Sequence, residues 1–243
     1  LLKVFVKICE AISFAHSRKV VHLDLKPDNI QVGDYGEVMV CDWGLSKIYG
    51  EQHDTEDFNQ LLLNPDLLNS HTLHGQVKGT PGFMAPELFD CGDKTPQTDI
   101  YSLGCLLYSI LTLSPPLSGT LDEITTKTQK GDIVVPSDVD SSIPDSLSAV
   151  AMKAMSVDPA DRYANVQTLK SEIEGFMDGY ATHAEQASPG KLLKLFLLRN
   201  KALSAIVLAG LIGAAAGTFY SVSQIKKREQ IAVNEKINAE ANL

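Results

Sequence analysis

Apolar side chains at Val4, Phe5, Ile8, Ile12 and Ala15 recur at a spacing near 3.6 and predict an amphipathic helix over residues 1–16. Two short runs follow, residues 29–32 and 37–41. They flank Gly33, Asp34, Tyr35 and Gly36, turn chemistry that predicts a β-hairpin. Residues 45–78 are mostly polar, broken by leucines at 61–63 and 67–68, and predict a long loop in which residues 58–68 form a helix of their own. Asp99 opens a strongly apolar helix that runs to Leu113 and is closed by Pro115 and Pro116. Periodic segments at 120–130, 146–157 and 165–177 predict three more helices. Strands are few, and the expected fold is α+β and mostly helical.

After Gly179 the pattern changes. Residues 181–190 are small and polar, include Pro189 and Gly190, and predict a linker. Residues 202–225 then run 24 positions without a charge. At 1.5 Å per residue they make roughly 36 Å of helix, against about 30 Å of bilayer hydrocarbon, which predicts a single transmembrane helix. Lys191, Lys194, Arg199 and Lys201 precede it and Lys226, Lys227 and Arg228 follow, so the cations do not decide orientation. Gly213 and Gly217 stand at G-x-x-x-G spacing inside it, which permits close helix–helix approach and a homodimer.

Composition adds exclusions. A net charge of −9 and a pI near 5.1 argue against a nucleic-acid binder, which needs a basic footprint. Cys9, Cys41, Cys91 and Cys105 are scattered without a C-x-x-C pair and read as reduced thiols of a cytosolic domain. His71 and His74 lack a third ligand for a metal. Asp138 and Asp140 lack the Gly and closing Glu of a calcium loop.

One stretch carries chemistry. His22, Asp24, Lys26 and Asn29 fall within eight positions as H-x-D-x-K-x-x-N, a pattern met by chance about once in 10⁵ positions. Asp42 and Gly44 follow behind a strand as D-x-G, and Ala85-Pro86-Glu87 stands further on. This ordered set resembles the motifs of protein kinases. "HLDLKPDN" resembles the catalytic loop, "DWG" the magnesium-binding turn, and "GTPGFMAPE" the end of the activation segment. "TDIYSLGCLLYSILT" and "DPADRYANVQTLKSEIEGF" resemble the central and closing helices of the large lobe.

The resemblance covers residues 1–178 and implies a mostly α-helical kinase large lobe with a short β-hairpin at the active site. A juxtamembrane linker over 179–201, a transmembrane helix over 202–225 and an extracytoplasmic tail over 226–243 complete the expected organisation. Transfer of the ATP γ-phosphoryl group to protein substrates is implied, a reaction in which the protein positions groups and neutralises charge. Asp24 would accept or orient the substrate hydroxyl proton. Lys26 would offset charge on the phosphoryl group, and Asn29 and Asp42 would supply the hard oxygens that Mg²⁺ prefers. His22 is expected to pack beneath the loop. Lys26-Pro27 and Thr80, which matches a threonine contacting the catalytic Asp and Lys, imply serine/threonine specificity. Glu87 and Arg162 match the family's buried ion pair, and Asp99 the residue that holds the catalytic-loop backbone from below.

Three departures matter. Leu23 replaces the arginine that receives the activation-loop phosphate in the family, so phosphorylation at Thr55, Ser70 or Thr72 is not expected to act by that route. Trp43 replaces the usual Phe. The Gly-rich loop, strand lysine and partner glutamate of the ATP-gripping lobe are not found from Leu1 onward, and the chain is expected to be a fragment with little activity alone. The implied whole is a membrane-anchored bacterial serine/threonine kinase, single-pass, its kinase part in the cytoplasm where ATP is. The alternative is a catalytically inactive pseudokinase acting as a membrane-tethered scaffold.

Overall fold

The structure, a computed structural model, describes residues 1–50, 81–89 and 93–241. It divides into two compact units, Leu1–Ser188 and Pro189–Leu243.

In the first unit, helix α1 (Leu2–Ser17) buries Phe5, Ile8, Cys9, Ile12 and Ala15, the apolar stripe of the sequence. The chain turns at Lys19, in the left-handed region at φ 62°, and enters strand β1 (Val20–Val21). Strands β2 (Ile30–Val32) and β3 (Val38–Val40) form the antiparallel hairpin, with Ile30 opposite Val40 and Val32 opposite Val38. Its turn closes where expected: Gly33 N–H donates to the Glu37 carbonyl at 2.9 Å, and Gly36 adopts φ 81°. The sequence does not announce the second strand pair, in which β4 (Lys47–Ile48) lies antiparallel to β1. Two-residue strands carry too little periodicity to read.

Helix α2 (Pro86–Phe89) leads to α3 (Pro96–Thr112), the centre of the lobe. Asp99 does not open this helix. Thr95 caps it, accepting from Gln97 N–H, while Thr98 reaches back to the Thr95 N–H. Asp99 stands inside the first turn because its carboxylate is used by the catalytic loop and not by the helix end. Every residue from Thr98 to Tyr108 is buried. A Cβ on Gly104 would stand 2.8 Å from Ala154 Cβ and from Met155 Cγ, so a glycine at mid-helix is what lets the two helices approach.

Helices α4 (Leu121–Lys130), α5 (Pro136–Val139), α6 (Asp145–Ala154) and α7 (Val166–Met177) complete the unit. Thr120 and Glu123 form a reciprocal capping box on α4, and the Thr120 N–H holds the Glu123 carboxyl below its ordinary range. Asn165 caps α7 through the Thr168 N–H. Helix α5 was not expected, and α6 ends three residues short of the predicted 157.

The start of the expected linker packs on the lobe. Thr182 is buried and donates to Ser146 O, the Ser146 hydroxyl donates to Glu185, and the main chain of His183 donates to Glu172 at 2.8 Å. In the second unit, α8 (Pro189–Arg199) precedes the long α9 (Lys201–Ala241). Residues Ser204–Ile231 of α9 are long and apolar enough to cross a membrane.

Candidate active site

The site is built outward from Asp99, which is fully buried at the positive end of α3. Its Oδ2 accepts the His22 N–H at 2.8 Å, and its Oδ1 accepts the Leu23 N–H at 2.9 Å. His16 Nε2 donates to Oδ2 at 2.8 Å. Two consecutive loop amides are thus pinned to one carboxylate, and this holds Leu23 at φ 69°, a conformation that costs an L residue about 1–2 kcal/mol. The Leu23 side chain is buried, so no cation stands at that position to receive a phosphate.

His22 is fully buried and ties the loop to the strand beyond it. Asp24 N–H donates to His22 Nδ1 at 3.3 Å, which leaves the ring proton on Nε2 to donate to the Cys41 carbonyl at 3.1 Å. The ring packs against Trp43 with centroids 4.5 Å apart, and Trp43 Nε1 donates to Val40 O at 2.9 Å. The Trp-for-Phe exchange thereby adds a hydrogen bond that phenylalanine lacks. His22 is a brace, as expected from the sequence.

Asp24, Lys26 and Asn29 come together. Lys26 Nζ lies 2.8 Å from Asp24 Oδ2. Asn29 is buried, and its Nδ2 donates both to the Asp24 carbonyl at 2.7 Å and to Oδ2 at 3.0 Å. Both side-chain contacts fall on Oδ2, and among the described residues none holds Asp24 Oδ1. Asp42, exposed and at φ 59°, is carried in beside them: Cys41 N–H donates to the Asn29 carbonyl at 2.8 Å, which puts the D-x-G turn directly against the end of the catalytic loop.

The donor set suits a hard divalent cation. The Asn29 amide nitrogen makes both its contacts on Asp24, so the amide oxygen is not used there; that oxygen and the exposed Asp42 carboxylate are hard donors of the kind Mg²⁺ takes. Thr80, and with it Thr55, Ser70, Thr72, His71, His74 and the expected helix over 58–68, lie outside the described residues.

Away from the reacting groups, Arg162 and Glu87 form a bidentate pair, both contacts at 2.8 Å. All five guanidinium N–H groups find acceptors: Ser156 O, Gln97 O and Val157 O take the three not given to Glu87. The guanidinium also lies 5.0 Å from the Tyr101 ring. Sequence reasoning missed His16. It continues the buried stripe of Ile8 and Ile12 at four-residue spacing, and a polar residue on an apolar stripe was the available signal.

Comparison with known proteins agrees with this geometry. The protein kinase domain family matches residues 1–173. Serine/threonine-protein kinase PknD of Protochlamydia amoebophila (strain UWE25) is 40% identical over 185 residues, covering 74% of this chain and 18% of that protein. The PknD proteins of Chlamydia abortus (strain DSM 27085 / S26/3) and Chlamydia pneumoniae are 36% and 39% identical, covering 81% and 73% of this chain and 22% and 19% of their own lengths. The chain therefore spans about a fifth of the length of these curated relatives. With an aspartate–lysine–asparagine loop hung from a buried aspartate and the family matched over residues 1–173, the chain belongs to the protein kinase family.

Proposed function

We propose that the chain carries the catalytic half of a membrane-anchored kinase that transfers the γ-phosphoryl group of ATP to Ser or Thr hydroxyls of protein substrates. The observation that carries this reading is the arrangement at Asp24, where Lys26 and Asn29 both hold Oδ2 and no described residue holds Oδ1. Oδ1 is the atom that would take the hydroxyl proton as the oxygen attacks phosphorus. Lys26 offsets negative charge on the phosphoryl oxygens, and Asn29 prevents the Asp24 carboxylate from rotating. Asn29 and Asp42 would hold Mg²⁺, which when bound neutralises charge on the nucleotide phosphates.

Helix α9 supports a single-pass anchor, and the need for ATP places the lobe on the cytoplasmic side. The buried, apolar Leu23 supports a lobe whose catalytic loop is ordered without an activation-segment phosphate.

The test is Asp24→Asn in the complete protein, assayed with γ-labelled ATP beside a circular-dichroism melt. Transfer is expected to fall about 10²–10⁴-fold, the usual contribution of a positioned acid or base, with the melt unchanged. Undiminished transfer would remove Asp24 from the mechanism, and absence of transfer in the parent protein would put the scaffold reading first.

A further inference from the structure

The first two turns of α3 bury the polar side chains of Thr98, Asp99 and Ser102. A buried polar group needs a partner, and each of these three finds one on a different stretch of chain. Asp99 accepts from the catalytic-loop amides. The Thr98 hydroxyl donates to Glu87 Oε1 at 3.1 Å. The Ser102 hydroxyl donates to the Phe83 carbonyl at 2.8 Å, with a longer contact to Thr98 O at 3.4 Å. Phe83 ends the short 3₁₀ turn Pro81–Phe83, just ahead of α2.

A second restraint acts on the same turn. A Cβ at position 82 would stand 2.6 Å from the carbonyl oxygen of Leu117, nearer than a Cβ can come. Leu117 lies on the connection from α3 to α4, and its side chain is held in the core, so that carbonyl has little freedom to swing aside. Room, not an unusual backbone angle, is what asks for glycine here.

We propose that Ser102 and Gly82 are positioning residues for the protein substrate, seating Pro81–Met84 as the floor under the residues that flank the accepting Ser or Thr. The proposal rests on the kinase reading of Asp24. Asp99 and Ser102 are three positions apart, on adjoining sides of one helix turn and about 4.5 Å apart along the axis. One rigid element therefore suspends both the loop that carries Asp24 and the turn that carries Phe83. Phe83 and Met84 are half-buried, packed on the core with part of each left open. A peptide hydroxyl must meet Asp24 in register, and a floor displaced by about 1 Å would spoil that alignment. The nucleotide phosphates would meet Lys26, Asn29 and Asp42 instead, so a shifted turn would weaken peptide binding and leave ATP binding alone.

Steady-state kinetics of the complete protein decide the matter, with ATP and the best acceptor from an arrayed library of Ser- and Thr-containing peptides. Ser102→Ala removes the bond to Phe83, and Gly82→Ala pushes the turn away from Leu117. Each is expected to raise KM for the peptide about tenfold while KM for ATP stays within about twofold. Ser102→Ala adds no atoms and decides alone if Gly82→Ala does not fold. A peptide KM that is unchanged, or that rises together with the KM for ATP, overturns the proposal and leaves both residues as core packing. No transfer to any peptide by the parent protein removes the kinase reading, and the proposal with it.

Discussion

At the scale of single residues, Asp99 organises the loop that carries Asp24. It accepts from two main-chain amides and one imidazole with no exposure to water. Asp99→Asn keeps the size but turns one acceptor oxygen into a donor facing other donors. Each orphaned buried donor costs about 1–3 kcal/mol, and the released loop loses the geometry that aims Asp24. The expected result is a lower urea midpoint together with a loss of transfer larger than the stability change explains. A variant that loses stability alone would show that the loop keeps its shape without Asp99. Leu23 poses the opposite balance. Its positive φ costs about 1–2 kcal/mol, while removing a buried leucine costs about 2–5 kcal/mol, so packing outweighs strain and leucine at φ 69° persists.

Among elements, the contact between α3 and α6 sets the lobe's dimensions. Ala is the better helix former by about 1 kcal/mol, yet a Cβ at position 104 would fall 2.8 Å from Ala154 Cβ and 3.1 Å from the Met155 main-chain nitrogen. Overpacking of this kind costs about 1–3 kcal/mol, and a backbone neighbour cannot swing aside as a side chain can. Gly104→Val is therefore expected to destabilise the lobe, read as a lowered melting temperature; an unchanged or raised value would mean that α6 is free to shift. The same scale explains the segment after α7. A sequence of small polar residues reads as linker, but Glu172, buried on α7, offers both carboxylate oxygens to His183, and Ser146 bonds to Glu185. Partners 11 and 39 positions away decide the fate of that segment, and no local pattern carries them.

For the whole molecule, burial leaves a titration signature. Burial pushes the thiols of Cys9 and Cys105 and the phenols of Tyr101 and Tyr163 well above their ordinary ranges. In the unfolded chain the thiols ionise near pH 8.5 and the phenols near pH 10, while in the folded chain all four remain protonated. Above about pH 8.5 the native state then binds more protons than the unfolded state, so stability falls as pH rises. The stabilisation is fully present below that pH and is lost progressively above it. Urea midpoints measured from pH 8 to 10.5 are expected to decline, and Cys9→Ala with Cys105→Ala to flatten the first part of the decline. A constant midpoint would mean that these groups ionise in place.

The sequence by itself determined the helices with long periodic stripes, the hairpin around Gly33 and Gly36, the family, and the grouping of Asp24, Lys26, Asn29 and Asp42. Those features are local: a helix needs only its stripe and cap, and the catalytic loop compresses its chemistry into eight positions. Glu87, Arg162 and Asp99 were also legible, but only through the family's pattern, since nothing local links positions 75 apart. Tertiary structure alone decided which atom of Asp24 is held, that His22 braces the loop against Cys41 and Trp43, that His16 shares Asp99, and that residues 182–185 pack on the lobe. Each of these depends on contact between segments distant in sequence. The energy of such contacts lies in hydrogen bonds and packing that do not exist until the chain has folded.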